Sequence, residues 1–293
     1  MFKVIIALFV GIISVSLASI LIKFTNDVPS VIITSYRLIT SSLMLIFYTL
    51  IKNGGIKIKD KKEIIFAMLG GLFLSAHFIF WIASIKYTSI PSSVTLVATS
   101  PIFVGIFSYF ILKEKQNKFI TFGIIASVAG SAILAFADGG IIFGNLDKKS
   151  LIGDFFAILG AVAVSGYFII GSYLRKDMNI MCYITMVYSF AALFSLLFAI
   201  LSKQSFVGYK ATSYIYMVLL AIVPQLIGHT SFNWALKYTK TTLVAIATLG
   251  EPVGATILAY LFFGTTLGMM QFIGIATILF AIFIASFKGG ITT

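Results

Sequence analysis

Residues 86–112 read KYTSIPSSVTLVATSPIFVGIFSYFIL, and residues 237–263 read KYTKTTLVAIATLGEPVGATILAYLFF. At an offset of 151, Lys86-Tyr87-Thr88 falls on Lys237-Tyr238-Thr239, Ser100-Pro101 on Glu251-Pro252, and Tyr109 on Tyr260. The same offset carries Gly123 onto Gly274 and Lys52 onto Lys203, and an offset of 149 carries Gly11 and Val15-Ser16 onto Gly160 and Val164-Ser165. Chance produces many matches of Ala, Leu and Ile in such a chain. A Lys-Tyr-Thr triplet and an X-Pro pair at one offset are a different matter, and they read as an internal repeat. The expected organisation is a first unit over 4–137, a polar joint over 138–150 containing Asp138, Gly139, Gly140, Asn145 and Asp147, and a second unit over 151–287.

The composition says where such a unit can live. Of 293 residues, 60% are hydrophobic and 10% charged, and the mean hydropathy is +1.08. A soluble domain carries about 25% charged residues, so an ordinary globular protein is excluded. A membrane helix needs about 20 predominantly apolar residues. Charge-poor stretches of that size run 4–22, 28–51 (interrupted by Arg37), 64–85, 87–112, 119–137, 155–174, 178–202 and 211–236. The stretch 241–287 is too long for one span, and Gly264-Thr265-Thr266-Leu267-Gly268 divides it into 241–263 and 268–287. Each unit then holds five helices. An odd number forces the second unit to cross the bilayer upside down. The expected fold is an all-α membrane protein of ten transmembrane helices, arranged as two inverted five-helix repeats around a central cavity.

The net charge of +12 could suggest nucleic acid, but the cations lie in short clusters between apolar runs, with no soluble module to carry a binding face. They report topology instead. With the N-terminus inside, the inner segments take Lys3, the cluster from Lys52 to Lys62, Lys113, Lys115, Lys118, Arg175, Lys176, Lys237, Lys240 and Lys288. The outer segments keep only Lys23, Lys86, Lys148, Lys149, Lys203 and Lys210. That bias places both termini in the cytoplasm. Lys3 and its apolar run superficially resemble a signal peptide. No small-residue cleavage motif follows, so the run reads as the first membrane helix. Two His and the single Cys182 leave no material for a disulfide framework, a zinc cluster or an iron–sulfur site, and no cofactor is expected.

Five plus five helices in about 290 residues, with Ser100-Pro101 in the fourth and Glu251-Pro252 in the ninth, resemble the EamA branch of the drug/metabolite transporter superfamily. Val94–Lys115 and Leu243–Phe263 carry the likeness best, with Arg37 in the second helix in support, and it covers 4–287. The resemblance implies a central cavity and carriage, usually export, of small metabolites such as amino acids. The Ile-, Lys- and Phe-rich sequence with its short loops points to a bacterial inner (plasma) membrane, and a monomer or homodimer is expected. One departure is visible. Many relatives place Gly-Glu after the ninth helix, matching Lys113-Glu114 in the first half, where this chain has Gly264-Thr265.

Ionisable groups within a bilayer are functional candidates by default. Ser30, Thr34, Arg37 and Ser41 recur at helical spacing and form one polar stripe, on which Arg37 could clamp a carboxylate with its planar fork. The competing reading is an arginine that snorkels or ties helices together. Glu251 is the one acid well inside an apolar span, either a proton carrier or cation partner, or a kink motif with Pro252 in which the carboxyl satisfies backbone groups that the proline frees. Pro101 occupies the equivalent kink in the first unit. Gln225, His229 and Asn233 recur every four residues after Pro224, and His77, Trp81 and Ser84 form a similar stripe. Trp81 and Trp234, the two tryptophans, lie in these two helices, where an aromatic beside a histidine could build a box for a planar or cationic ligand. Interfacial anchoring and interhelical hydrogen bonding are the plainer explanations. His77 and His229 could couple proton movement to transport. An enzyme would need a catalytic constellation, such as paired aspartates or His-Glu-x-x-His, and a channel would need a charge ring or carbonyl filter. The sequence displays neither.

Overall fold

The computed structural model describes residues 2–56, 58–88, 90–137, 148–263 and 268–288. The joint at 138–147 and the Gly264-Thr265 departure lie outside them. Every described element is helical, and a helix satisfies its backbone in lipid within its own segment, as runs of about 20 apolar residues require. In chain order, α1 is Phe2–Lys23, α2 Ser30–Asn53 and α3 Lys61–Tyr87. α4 covers 90–112, broken at Ala98-Thr99 into Ile90–Val97 and Ser100–Phe107, and it ends in a π-helical turn, Ser108–Leu112. α5 is Lys118–Ala137, α6 Lys148–Arg175 and α7 Ile180–Leu201. α8 covers 211–235, with π-helix at Ala221–His229 between Ala211–Leu220 and Thr230–Ala235. α9 covers 241–263, as Thr241–Thr248 and Gly250–Phe263, and α10 is Met269–Lys288. Eight described helices are long and apolar enough to cross a membrane, and the apolar cores of α5 and α10, Lys118–Ile133 and Met269–Ala285, are shorter.

The boundaries follow local chemistry. Asp60 caps α3 by accepting from the Lys62 N–H at 3.3 Å, and Asn179 caps α7 by accepting from Met181 at 2.8 Å. Gly54 ends α2 in the left-handed conformation at φ 64°, where its N–H reaches the Thr49 carbonyl. α6 begins at Lys148, earlier than the expected 155, so Lys148–Ser150 belong to the helix rather than the joint. Asp154 stopped the apolar run in the sequence, but a single charge near a helix start does not break a helix. Pro224 has no N–H to donate, and the wide π-turn around it is the local answer. The Tyr188 hydroxyl donates to the Gln225 carbonyl at 3.5 Å.

Packing sets each of the first five helices against one or two of the last five. α2 lies on α7, α5 on α10, α3 on both α6 and α7, and α1 on α8 and α9, while α4 contacts α6 and α2 contacts α8. Exchanging α1–α5 for α6–α10 turns α3–α6 into α8–α1, α4–α6 into α9–α1 and α3–α7 into α8–α2, all of which occur. α2 and α7 run antiparallel along a ladder of small polar groups. Ser35 donates to the Ser195 carbonyl at 3.1 Å, Ser42 meets Ser189 at 2.9 Å, and Thr49 meets Thr185 at 3.0 Å. Such bonds and close backbone approaches hold helices together where lipid tails remove any hydrophobic preference for protein over solvent. Gly71 is one such approach, since a Cβ there would lie 2.6 Å from Phe190 Cβ and 2.7 Å from the Ala191 backbone nitrogen.

Candidate functional site

The pairing leaves a cavity between α1, α2, α3, α4, α6, α8 and α9. About 70 Å³ of it is open to the centre of a water molecule, room for several waters or a small solute. Its walls are mainly apolar, with Val15, Ala18, Val94, Val97, Ala98, Phe168, Phe232 and Leu249 facing in. The polar residues on the wall are Arg37, His77, Trp81, Ser100, His229, Thr248 and Glu251, with Pro252 beside the acid.

Arg37 sits on the buried face of α2 at 1% exposure. Its Nε donates to Gln225 Oε1 at 2.9 Å, and its guanidinium carbon lies 3.9 Å above the centre of the Phe78 ring. Together they hold the fork flat and leave Nη1 buried without a protein partner. Glu251 lines the same cavity, and the two form no direct ion pair, so each side chain keeps part of its bonding capacity for something else. His77 Nδ1 is bonded to the Gly160 carbonyl at 2.9 Å, and its ring lies parallel to Trp81 with centroids 6.0 Å apart. His229 stands edge-on to Phe78 and Phe232, and its Nδ1 has no partner. The break at Ala98-Thr99 in α4 and at Leu249 in α9 lies next to Ser100-Pro101 and Glu251-Pro252. Each X-Pro pair therefore interrupts a helix where that helix meets the cavity.

The sequence candidates divide into two groups. Arg37, His77, Trp81, His229, Glu251 and Pro252 line the cavity. Thr34, Gln225, Asn233, Trp234 and Pro101 stand outside its lining. Thr34 is buried and returns its hydroxyl to the Ser30 carbonyl at 3.0 Å. Gln225 grips Arg37 from behind. Asn233 donates to the Tyr167 and Tyr188 hydroxyls. Trp234 packs against Tyr238, the rings tilted by 42° with centroids 4.5 Å apart. Pro101 is buried within α4.

Sequence reasoning missed Arg175. At the end of an apolar stretch it counts as a loop cation, yet it is 2% exposed, donating through Nε to the Asn233 carbonyl at 3.1 Å and through Nη1 to the Met178 carbonyl. Arg37 is therefore the one arginine on the cavity wall but not the one deeply buried arginine. Tyr167, Tyr183 and Tyr188 were missed as well. All three are fully buried, and Tyr167 and Tyr188 meet at Asn233.

The description of the EamA-like transporter family matches residues 2–136 and again residues 151–287. An uncharacterized transporter of Clostridium kluyveri is 28% identical over 67% of this chain and 63% of its own length. Uncharacterized transporter YetK of Bacillus subtilis is 24% identical over 89% of this chain and 79% of its own, and solute carrier family 35 member G1 of Mus musculus is 26% identical over 85% and 68%. A solved crystal structure at 19% identity superposes with a TM-score of 0.82 over 99% of this chain and 98% of its own, which establishes the shared fold. The chain belongs to the EamA-like transporter family and is a multi-pass membrane transporter of small molecules.

Proposed function

We propose that the protein is an alternating-access carrier for small zwitterionic metabolites, amino acids above all, which it exports across the cell's inner membrane. The reading takes ten membrane helices as two inverted halves, 4–137 and 151–287, with both termini cytoplasmic. The antiparallel pairing of α2 with α7 and the exchange symmetry of the helix contacts support the inversion. A site held between two halves that can rock is the geometry such carriers use.

The observation that carries the substrate class is the orphaned Nη1 of Arg37 in a cavity shared with Glu251. A buried cation that keeps an unpaired N–H is costly, and an anion would satisfy it. A substrate carboxylate would meet Arg37, an ammonium group would meet Glu251, and the apolar wall would take a small side chain. Substrate and proton would then compete for Glu251, which couples one to the other. The Ser100-Pro101 and Glu251-Pro252 breaks would let α4 and α9 bend as access switches sides.

Thermal unfolding of the purified protein tests this with three ligand classes. A bound ligand raises stability in proportion to RT ln(1 + [L]/Kd). Small amino acids should raise the midpoint, while matched amines and matched carboxylic acids raise it less at equal concentration. Equal shifts for amines and amino acids would contradict the two-ended site.

A further inference from the structure

Between α4 and α5 the chain leaves the helix over 113–117, turning at Lys113 in the left-handed region (φ 58°), and its side chains alternate in exposure. Lys113 and Lys115 stand exposed, whereas Glu114 and Gln116 turn inwards. Glu114 Oε1 accepts from Thr241 at 3.2 Å, and Gln116 Nε2 donates to Ser108 at 2.8 Å and to Thr242 at 2.9 Å. Lys240 adds a bond from Nζ to the Lys115 carbonyl at 3.1 Å. These contacts pin the segment against the start of α9 and fix which side chains face out. Lys118, the first residue of α5, is exposed too, with Nζ 5.5 Å from the Phe119 ring centre. Glu114 is the one acid in the sequence from 90 to 137, and it points away from all three lysines' exposed side.

Directly beside this segment lies a shallow, open groove on the outer surface of α4 and α5. Ile102, Gly105, Ile106, Tyr109, Phe110 and Ile124 line it, with Gln116 at one end. From Ile102 to Phe110 it follows about 12 Å of helix. Gly105 keeps its floor low, since a Cβ there would lie 3.3 Å from Ile124 Cδ1.

We propose that this groove and the three lysines at its end form a binding site for an anionic phospholipid. One acyl chain lies along α4, and the phosphate meets Lys113, Lys115 and Lys118. Segregated charge selects the headgroup, because Glu114 turns inwards towards Thr241 while the three lysines are exposed in and next to the segment that adjoins the groove through Gln116. A second copy of the chain fits less well. A two-fold interface through this face would bring the two lysine clusters towards each other. The site depends on membrane embedding and not on the identity of the transported substrate.

Native mass spectrometry of the detergent-purified protein, titrated with phosphatidylglycerol or phosphatidylcholine of matched chains, tests it. Phosphatidylglycerol should bind more tightly and at low stoichiometry. The triple change Lys113→Gln, Lys115→Gln, Lys118→Gln should weaken it on the order of 100-fold, from about fivefold per lysine near a charged surface. Ile106→Trp, at a surface position that is 46% exposed, should block the groove and weaken both lipids. Lys59→Gln, Lys61→Gln, Lys62→Gln should leave binding unchanged. Equal binding of the two lipids, a triple variant that binds like the wild type, or a dimer that Ile106→Trp dissolves would each overturn the proposal.

Discussion

Replacing Arg37 by alanine should erase the protein's ability to tell an amino acid from the amine that lacks its carboxylate. The size of the effect follows from the bonds already made. Nε is committed to Gln225, and the face of the guanidinium to Phe78, so the Nη1 and Nη2 donors are what remain for a substrate. One hydrogen bond to a charged group contributes about 1.5–3 kcal/mol, so the wild type should prefer the amino acid by about 10- to 150-fold. In Arg37→Ala that preference should fall to about one, through loss of the amino acid's affinity rather than gain of the amine's. Arg37→Lys should keep the charge but not the preference, because an ammonium cannot hold Gln225, lie on Phe78 and meet the substrate in one geometry. The assay is competition by each ligand against a labelled amino acid in proteoliposomes, with a detergent thermal scan to confirm that the variants fold. A folded Arg37→Ala that still prefers the amino acid tenfold or more would refute the carboxylate clamp.

Glu251→Gln should abolish the pH dependence of exchange while leaving the fold intact, and an unchanged pH profile in proteoliposomes would remove Glu251 as the proton-exchanging group. Gly71→Ala should lower the thermal midpoint, because its Cβ would collide with the Ala191 backbone and overpacking costs about 1–3 kcal/mol; a wild-type midpoint would show that α3 and α7 part easily. Asp27 accepts from the Ser213 hydroxyl at 2.7 Å and the Lys210 N–H at 3.1 Å, across from α1 to the start of α8, and these bonds hold its carboxyl below the ordinary value of 3.8. Such a group stabilises the fold above its unfolded value and loses that contribution as pH falls through the folded one. Wild type should therefore unfold at a higher temperature than Asp27→Asn at neutral pH, and the gap should close as the pH falls through and below the ordinary carboxylate value of 3.8; a gap independent of pH would contradict the assignment.

The helices were legible because lipid imposes a length and a composition on them. The expected stretch 211–236 became 211–235, and 241–263 kept its limits. Arg37 and Glu251 were legible for the same reason, as single charges inside apolar runs. What was hidden is whatever depends on which neighbour a helix face meets. Gln225 and His229 share a stripe, yet one holds Arg37 from behind and the other lines the cavity, with a π-helix between Ala221 and His229 that no sequence period announces. Trp234 follows Asn233 directly, so the helix turns it to another face, where it packs on Tyr238. Arg175 and the buried tyrosines resemble ordinary interfacial residues by type and position. Only the packing of α6, α7 and α8 reveals that they are enclosed.

Counterflow in proteoliposomes tests the central claim most directly. Vesicles loaded with an unlabelled small amino acid are diluted into a trace of the same compound in labelled form. A carrier whose site faces one side at a time must accumulate the label transiently above its equilibrium level, with saturable uptake whose affinity Arg37→Ala lowers about 10- to 150-fold. Flux that rises linearly with concentration and ignores what the vesicles contain would contradict alternating access, and no exchange of any amino acid would contradict the substrate class.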